Sequence, residues 1–419
     1  MQKISVKGGK VLKGSVDISG SKNATLPVMT AVLLAESPST IRNVPHLNDV
    51  KTMTEVLKKL GAKATLEDHF LKVDPAGFNQ FEAPYELVKT MRASIYSLGA
   101  CLARLGEAKV SLPGGCAIGA RPIDLHLKGM EQLGAKVTIE HGYVHAKASK
   151  LKGATIYLAG PHGPSLGATV NVVLAATAAE GTTVIESASI EPEVEDLVNC
   201  LIAMGAHIEG NGTSKLVIHG KKTLKGVDYS VIPDRVEAGT FMVAVAITKG
   251  DVLLKKANAS QLTAVIDKLR QIGVIIEVTP EGIRVKGGED YKPADVMILP
   301  YPGFPTDMQA QIMALLATIP GNSIVTETIW ENRFMHVFEM NRMGADINID
   351  RSHAVVKGVK QLTGAPVMAS DLRASAALIL AGLVSEGETL VQRIYHLDRG
   401  YEKIEEKLST LGADIKRIN

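Results

Sequence analysis

The sequence predicts an α/β protein built from six copies of one unit and gathered into two lobes. Three observations carry this: a helix-glycine-strand signature that recurs six times, helices apolar on every side, and short alternating strands between them. The signature reads Leu60-Gly61-Ala62, Leu133-Gly134-Ala135, Met204-Gly205-Ala206, Ile272-Gly273-Val274, Met343-Gly344-Ala345 and Leu411-Gly412-Ala413. Its glycines stand 73, 71, 68, 71 and 68 residues apart, so copies of about 70 residues fill the chain.

The third copy shows the unit most clearly. Residues 168–180, ATVNVVLAATAAE, are apolar or small nearly all round and predict a buried helix. Gly181 ends it and TTVIES follows as a strand. Pro192 opens a second helix, with Val194, Leu197, Val198 and Leu201 on one stripe. The segments around HIEG, KLVIHG and VDYSVI alternate as hairpin strands. The sixth copy stops short of its last strands, while residues 1 to about 20 resemble the end of copy five, so the N-terminal segment is expected to complete copy six. This gives one lobe at 22–232 holding repeats 1–3, and another at 1–21 plus 233–419 holding repeats 4–6. A single six-unit ring or solenoid is the alternative.

Composition narrows the function classes. The chain has 419 residues, with 46 basic against 44 acidic for a net charge of +2, which argues against a nucleic-acid surface. No apolar run of about 18 residues occurs, so no membrane span is expected, and the first residues lack the apolar core of a secretory signal. Cys101, Cys116 and Cys200 have no metal-ligand spacing, so neither a disulfide framework nor a metal site is expected in what reads as a cytoplasmic protein.

The buried helices begin at SKNATLP, MRASIYS, SLGATVN, DRVEAGT, TDMQAQI and DLRASAA. A helix N-terminus carries partial positive charge, so a cation there is locally unfavourable. Yet Lys22, Arg92, Arg235 and Arg373 stand at or beside four of the six starts. Grouped in one cleft they would receive an anion, with phosphate the natural one; pairing with Asp234, Asp307 and Asp371 is the plainer reading. In copy two the strand-to-helix connection is lengthened by LPGGCAIGARP, which places Cys116 in a glycine-rich loop near Arg121, where a guanidinium favours the reactive thiolate. Cys101 and Cys200 fall in helices and read as small buried apolar residues. Asp307 at a helix start is either an N-cap or a carboxylate base. Arg333 and Arg399 lie in equivalent loops of copies five and six.

The strings SGSKNATLP, VKTMRAS, SLPGGCAIGARPIDLH, PDRVEAGTF, FPTDMQAQ, ENRFMH, ASDLRAS and IYHLDRGYE resemble the UDP-N-acetylglucosamine 1-carboxyvinyltransferase family of enolpyruvyl transferases, from Gly14 to the end of the chain. The resemblance implies a two-lobed inside-out α/β barrel, three βαβαββ repeats per lobe, with the site in the cleft between lobes. It implies transfer of the enolpyruvyl group of phosphoenolpyruvate to the 3-hydroxyl of UDP-N-acetylglucosamine, with release of phosphate, by addition-elimination. No cofactor and no obligate protein partner are implied. Cys116 would be the proton donor to the methylene carbon and Asp307 the acceptor of the sugar hydroxyl proton. Lys22, Asn23, Arg121 and Arg399 would hold phosphoenolpyruvate. Asn23, Arg92, Asp307 and Ile329 would contact the UDP-sugar, with Arg121, Pro122, Ile123, Asp124 and Leu125 beside its nucleotide end. Ser165 and Gly167 of the SxGAT segment would join them, and Arg235, Arg333, Asp371 and Arg373 would support the cleft.

One departure stands out. Many relatives carry a lysine two residues before the serine of that segment; here the residue is Gly163, and no Lys or Arg occurs between Lys152 and Lys215. Either His162 supplies the charge or the backbone amides of Gly163 to Gly167 suffice; the glycines and Pro164 favour the amides. Two rivals are a 5-enolpyruvylshikimate-3-phosphate synthase, against which GGCAIGARP argues, and a non-catalytic nucleotide-sugar sensor, against which the intact Cys116, Asp307, Lys22 and Arg399 argue.

Overall fold

The computed structural model describes residues 2–89, 91–112, 122–221, 223–330 and 332–419. Cys116 and Arg121 lie outside the described residues. The chain forms two compact units: one from Gly20 to Ile232, leaving aside the undescribed loop, the other from the segment ending at Ser19 together with Pro233–Asn419. Each has its own cluster of buried apolar side chains.

Each unit carries three four-stranded sheets, and all six follow one plan. In the third copy the strand Thr155–Tyr157 precedes the helix Leu166–Ala176, which is followed by the strand Thr182–Glu186, the helix Pro192–Ala203 and the strands His207–Glu209 and Lys215–His219. Thr155–Tyr157 pairs parallel with Thr182–Glu186, a geometry that needs a crossover, here the buried helix. The return strand of the hairpin covers the other side of Thr182–Glu186 in antiparallel pairing. Ala168 to Ala176 are all buried, as a helix without a polar face requires.

The recurring glycines have a common conformational cause. Gly61, Gly134, Gly205, Gly273, Gly344 and Gly412 all have positive φ, from 86° to 113°. At each, the glycine N–H returns to the carbonyl three residues back (Gly61 to Lys58, 3.0 Å), and the next N–H to the carbonyl five back (Ala62 to Leu57, 3.1 Å). This is the left-handed helix stop, in which the residue after the glycine heads into the next strand. The signature is therefore six copies of one cap.

The chain ends correct two expectations. Only Lys3–Lys7 completes the sixth sheet, lying between Glu388–Gln392 and Asp414–Ile418. Lys13–Asp17 pairs parallel with Asp251–Lys255 and opens the fourth. Asp228–Ser230, expected to finish the third copy, instead pairs parallel with Ser39–Arg42 of the first. The reason is shared: every copy needs a parallel strand ahead of its buried helix, and the copy that opens a unit must take that strand from elsewhere in the unit. Alternation marks a strand but does not name its neighbour. No helix among the described residues is long and apolar enough to cross a membrane.

The caps are open to a direct test. A Cβ at Gly344 meets nothing nearer than Thr363 Oγ1 at 3.6 Å, whereas at Gly61 it would lie 2.2 Å from the Gly77 carbonyl oxygen. Gly344→Ala should cost about 1 kcal/mol from left-handed strain alone, and Gly61→Ala distinctly more because backbone must move. Urea midpoints of the two variants check this; equal losses would contradict it.

Candidate active site

In the Gly20–Ile232 unit, Ser21 accepts from the Ala24 N–H and caps the helix Lys22–Ala31, so Lys22 is its first residue. Lys22 is only 8% exposed, and its ammonium lies 3.2 Å from Asp49 Oδ2. An ammonium that is both buried and at a positive helix end needs such a counter-charge. Asn23 follows, half-buried. Arg92 opens the short helix Arg92–Tyr96 and donates to the Pro122 carbonyl at 3.4 Å, bringing the second helix start to the 122–125 segment. Asp124 begins the helix Asp124–Gln132, with Ile123 at its cap position.

The third start is placed by a tight hairpin in which Ala159 pairs with Pro164 and Gly160 with Gly163. A Cβ at Gly160 would lie 3.6 Å from Leu125, so the two segments adjoin. His162 sits exposed at the hairpin tip. Ser165 then caps the helix Leu166–Ala176 by accepting from the Ala168 N–H, which leaves the first-turn amides of Leu166 and Gly167 without acceptors inside the helix. Gly167 is glycine for a visible reason, since a Cβ there would lie 3.0 Å from His126 Nε2.

Sequence reasoning missed the support behind this wall. Asn171 accepts from the Gly99 N–H at 2.8 Å and donates to the Ile95 carbonyl at 3.0 Å and to His126 Nδ1 at 2.8 Å. One amide thereby ties the second and third copies together. Burial, with the Arg92 charge adding to it, pushes His126 down to about 3. The ring is neutral at pH 7, and accepting at Nδ1 places its proton on Nε2.

In the other unit the organising group is Asp307, in the turn Thr306–Met308 that leads into the helix Gln309–Leu316. Its Oδ1 accepts from Arg333 Nη2 at 2.6 Å and its Oδ2 from Arg373 Nη2 at 2.8 Å. Burial alone would raise this carboxyl, but the guanidinium groups of Arg373 and Arg333 outweigh it and hold the group well below the usual carboxylate range. Its side chain keeps 29% exposure while those of Arg333 and Arg373 keep 7% and 4%, so the carboxylate is the accessible end of the cluster. Arg373 Nε and Nη1 find no acceptor among the described residues.

A chain of bonds runs outward from Arg333, which donates to Thr306 Oγ1 at 2.8 Å; that hydroxyl donates to Glu327 Oε2 at 2.8 Å. Glu327 Oε1 accepts from the Ile329 N–H at 2.9 Å, so the backbone at Ile329 is tethered to the Asp307 cluster. Behind it, Gln311 Nε2 donates to the Asp307 carbonyl (2.9 Å), Thr240 Oγ1 (3.1 Å) and Tyr401 Oη (3.2 Å). The Tyr401 ring lies 5.3 Å from the Arg373 guanidinium carbon. Thr240, Gln311 and Tyr401 come from three different copies. Only their polarity within apolar surroundings signals them in sequence.

The remaining expected residues divide. Asp234 accepts from the Val236 and Glu237 N–H groups and Asp371 from those of Arg373 and Ala374, so both aspartates are helix caps. Arg235 is 7% exposed, its guanidinium carbon 5.3 Å from the Tyr301 ring centroid. Arg399 is half-buried at the end of the turn Leu397–Arg399. Burial pushes the Cys101 thiol up to about 12 and also raises Cys200, so neither is a ready thiolate.

Taken separately, each unit presents anchored cations at or beside helix starts, and one of them also holds an ionised carboxylate between two arginines, the kind of charge that suits anionic ligands. The family model described as EPSP synthase (3-phosphoshikimate 1-carboxyvinyltransferase) matches residues 6–408, and the chain belongs to this family of enolpyruvyl transferases. Within it, the chain is 54% identical to UDP-N-acetylglucosamine 1-carboxyvinyltransferase of Halothermothrix orenii and 55% identical to that of Desulfosudis oleivorans, covering 100% of both chains in each comparison. Among solved structures it is similar to the enolpyruvyl transferase NikO of Streptomyces tendae, with a TM-score of 0.90, 28% identity and coverage of 100% of this chain and 99% of that one. EPSP synthase of Acinetobacter baumannii, at 20% identity and a TM-score of 0.76 over 100% of both chains, shares the fold. The protein is a transferase with the enolpyruvyl transferase fold.

The depressed Asp307 carboxyl gives a measurable consequence. In 13C-aspartate spectra its carboxyl resonance should stay in the ionised position between pH 8 and 4. In Arg373→Ala it should start to titrate toward the ordinary value of about 3.9. Because the folded value lies below the unfolded one, its contribution to stability is present above about pH 4 and fades only as pH falls below that. Protonation of wild-type Asp307 near neutral pH would contradict the clamp.

Proposed function

We propose that the protein transfers the enolpyruvyl group of phosphoenolpyruvate to the 3-hydroxyl of UDP-N-acetylglucosamine and releases phosphate, the entry step of peptidoglycan synthesis, in the cytoplasm. The observation that carries this reading is full-length identity of more than half to enzymes bearing that name. The anion-directed charge of the helix starts agrees with it. The repeat plan supports the finer architecture, in which three βαβαββ copies per unit form an inside-out barrel with helices within and sheets without.

In the proposed scheme the sugar oxygen bonds to C2 of phosphoenolpyruvate while C3 takes a proton from the Cys116 thiol, giving a tetrahedral ketal. The C2–O bond to phosphate then breaks, C3 gives up a proton and the vinyl ether forms. Asp307 accepts the sugar hydroxyl proton. A carboxylate held by Arg333 and Arg373 is a weak base, but the attacking oxygen becomes strongly acidic as its bond to C2 forms, so a weak, well-aimed acceptor suffices. Lys22, Arg121 and Arg399 hold the phosphate and carboxylate, with Asn23 beside them, and fixed positive charge stabilises the crowded anionic ketal. Arg92, Pro122 to Leu125, Ser165, Gly167 and Ile329 contact the UDP-sugar. Arg235 and Arg373 supply further positive charge, and Asp371 holds the Arg373 helix start.

Phosphate release should require phosphoenolpyruvate and UDP-N-acetylglucosamine together, and shikimate 3-phosphate should not replace the sugar. Turnover with shikimate 3-phosphate alone would transfer the protein to the other branch of the family. Cys116→Ala should abolish turnover while leaving UDP-sugar binding largely intact, and the phosphonate epoxide fosfomycin should alkylate Cys116 but spare the buried Cys101 and Cys200. An active Cys116→Ala enzyme, or label on another cysteine, would overturn the donor assignment.

At the nucleotide end the first-turn amides after Ser165 take the place of the absent lysine. His162→Ala should then bind UDP-N-acetylglucosamine as wild type does from pH 5.5 to 8. A wild-type gain at low pH that vanishes in the variant would assign the contact to the imidazolium.

A further inference from the structure

The third-copy hairpin carries a group of side chains that the transfer chemistry does not use. His207 and His219 stand directly opposite one another on the strands His207–Glu209 and Lys215–His219. Residues two apart on a strand share a face, so Glu209 joins His207 there. The imidazole rings stack with centroids 4.4 Å apart. Glu209 Oε1 lies 3.1 Å from His219 Nε2 and 3.4 Å from His207 Nε2, and one donor atom from each of the three residues falls within 4.8 Å of the others. The Glu209 and His207 side chains are 60% and 68% exposed and that of His219 38%, so an ion has access from solvent.

We propose that His207, Glu209 and His219 form a binding site for one divalent transition-metal ion of the zinc type, with water completing its shell. A tetrahedral shell with bonds of about 2.0–2.1 Å sets its donor atoms about 3.3 Å apart. The two nitrogen-to-oxygen separations lie on either side of that value. A second observation is an outer partner for His219. Thr182, directly opposite it on the other neighbouring strand, has its hydroxyl oxygen 3.1 Å from His219 Nδ1. When a metal takes Nε2, the ring proton moves to Nδ1 and can be donated to that hydroxyl, the arrangement by which an outer partner orients a metal-binding histidine. Two imidazoles and one carboxylate suit Zn2+, Cu2+ or Ni2+ and disfavour Mg2+ and Ca2+, which take all-oxygen shells. The ion would pin the two hairpin strands to each other and stabilise the folded unit by mass action.

The test titrates the intact protein with Co2+ as a spectroscopic probe and with Zn2+ by calorimetry, in millimolar Mg2+. One Co2+ per chain should bind, with the absorption of a low-coordinate nitrogen-oxygen site and no thiolate charge-transfer band. Zn2+ should displace it and raise the thermal midpoint. His207→Ala and His219→Ala, with unchanged far-ultraviolet circular dichroism, should each weaken binding by well over tenfold, and Thr182→Val by about tenfold. Absence of saturable binding, affinity unchanged in both histidine variants, or a thiolate band that places the metal on a cysteine would each overturn the proposal.

Discussion

Positive charge buried at helix N-termini is the constraint around which the candidate site is built. Each such cation is disfavoured twice, by the partial charge of the helix end and by the loss of water. The structure offsets it with nearby carboxylates: Asp49, in the first turn of the helix Asn48–Lys59, beside Lys22, and Asp307 between Arg333 and Arg373. Breaking a buried pair from one side costs several kcal/mol, so these groups constrain one another's positions. Caps by Asp234 and Asp371 then fix the helix starts on which Arg235 and Arg373 stand.

Rigidity behind the charges comes from two polar knots in otherwise apolar cores. Asn171 joins two copies of one unit, and Gln311 with Thr240 and Tyr401 joins three of the other. A buried amide left unpaired would be costly, so each knot selects one packing of its helices. That selection carries the arginines and Asp307 into register. The sequence spaces the copies, the caps turn them, and the knots set their mutual positions.

Much of this was legible from residues alone. The six glycines disclosed the repeat because each performs one conformational task, and the cations at helix starts stood out because they break a local rule. The partner of a strand was not legible: Lys13–Asp17 and Asp228–Ser230 look like neighbours of their own copies yet pair elsewhere. The roles of Asn171, Gln311, Glu327 and His126 were not legible either, because what a polar side chain bonds to in the core depends on a partner far away in sequence. Asp307 was recognised, but its clamping by two arginines, which lowers its basicity, depends on side chains 26 and 66 residues away.

The central claim is that these fixed charges serve an addition to phosphoenolpyruvate in which C3 is protonated and later deprotonated. Running the reaction in D2O and examining the vinyl methylene of the product tests it most directly. Protonation from an exchangeable thiol gives a methyl group that turns freely before losing a proton, so deuterium should appear in that methylene. A product formed at full rate without deuterium there would contradict the account.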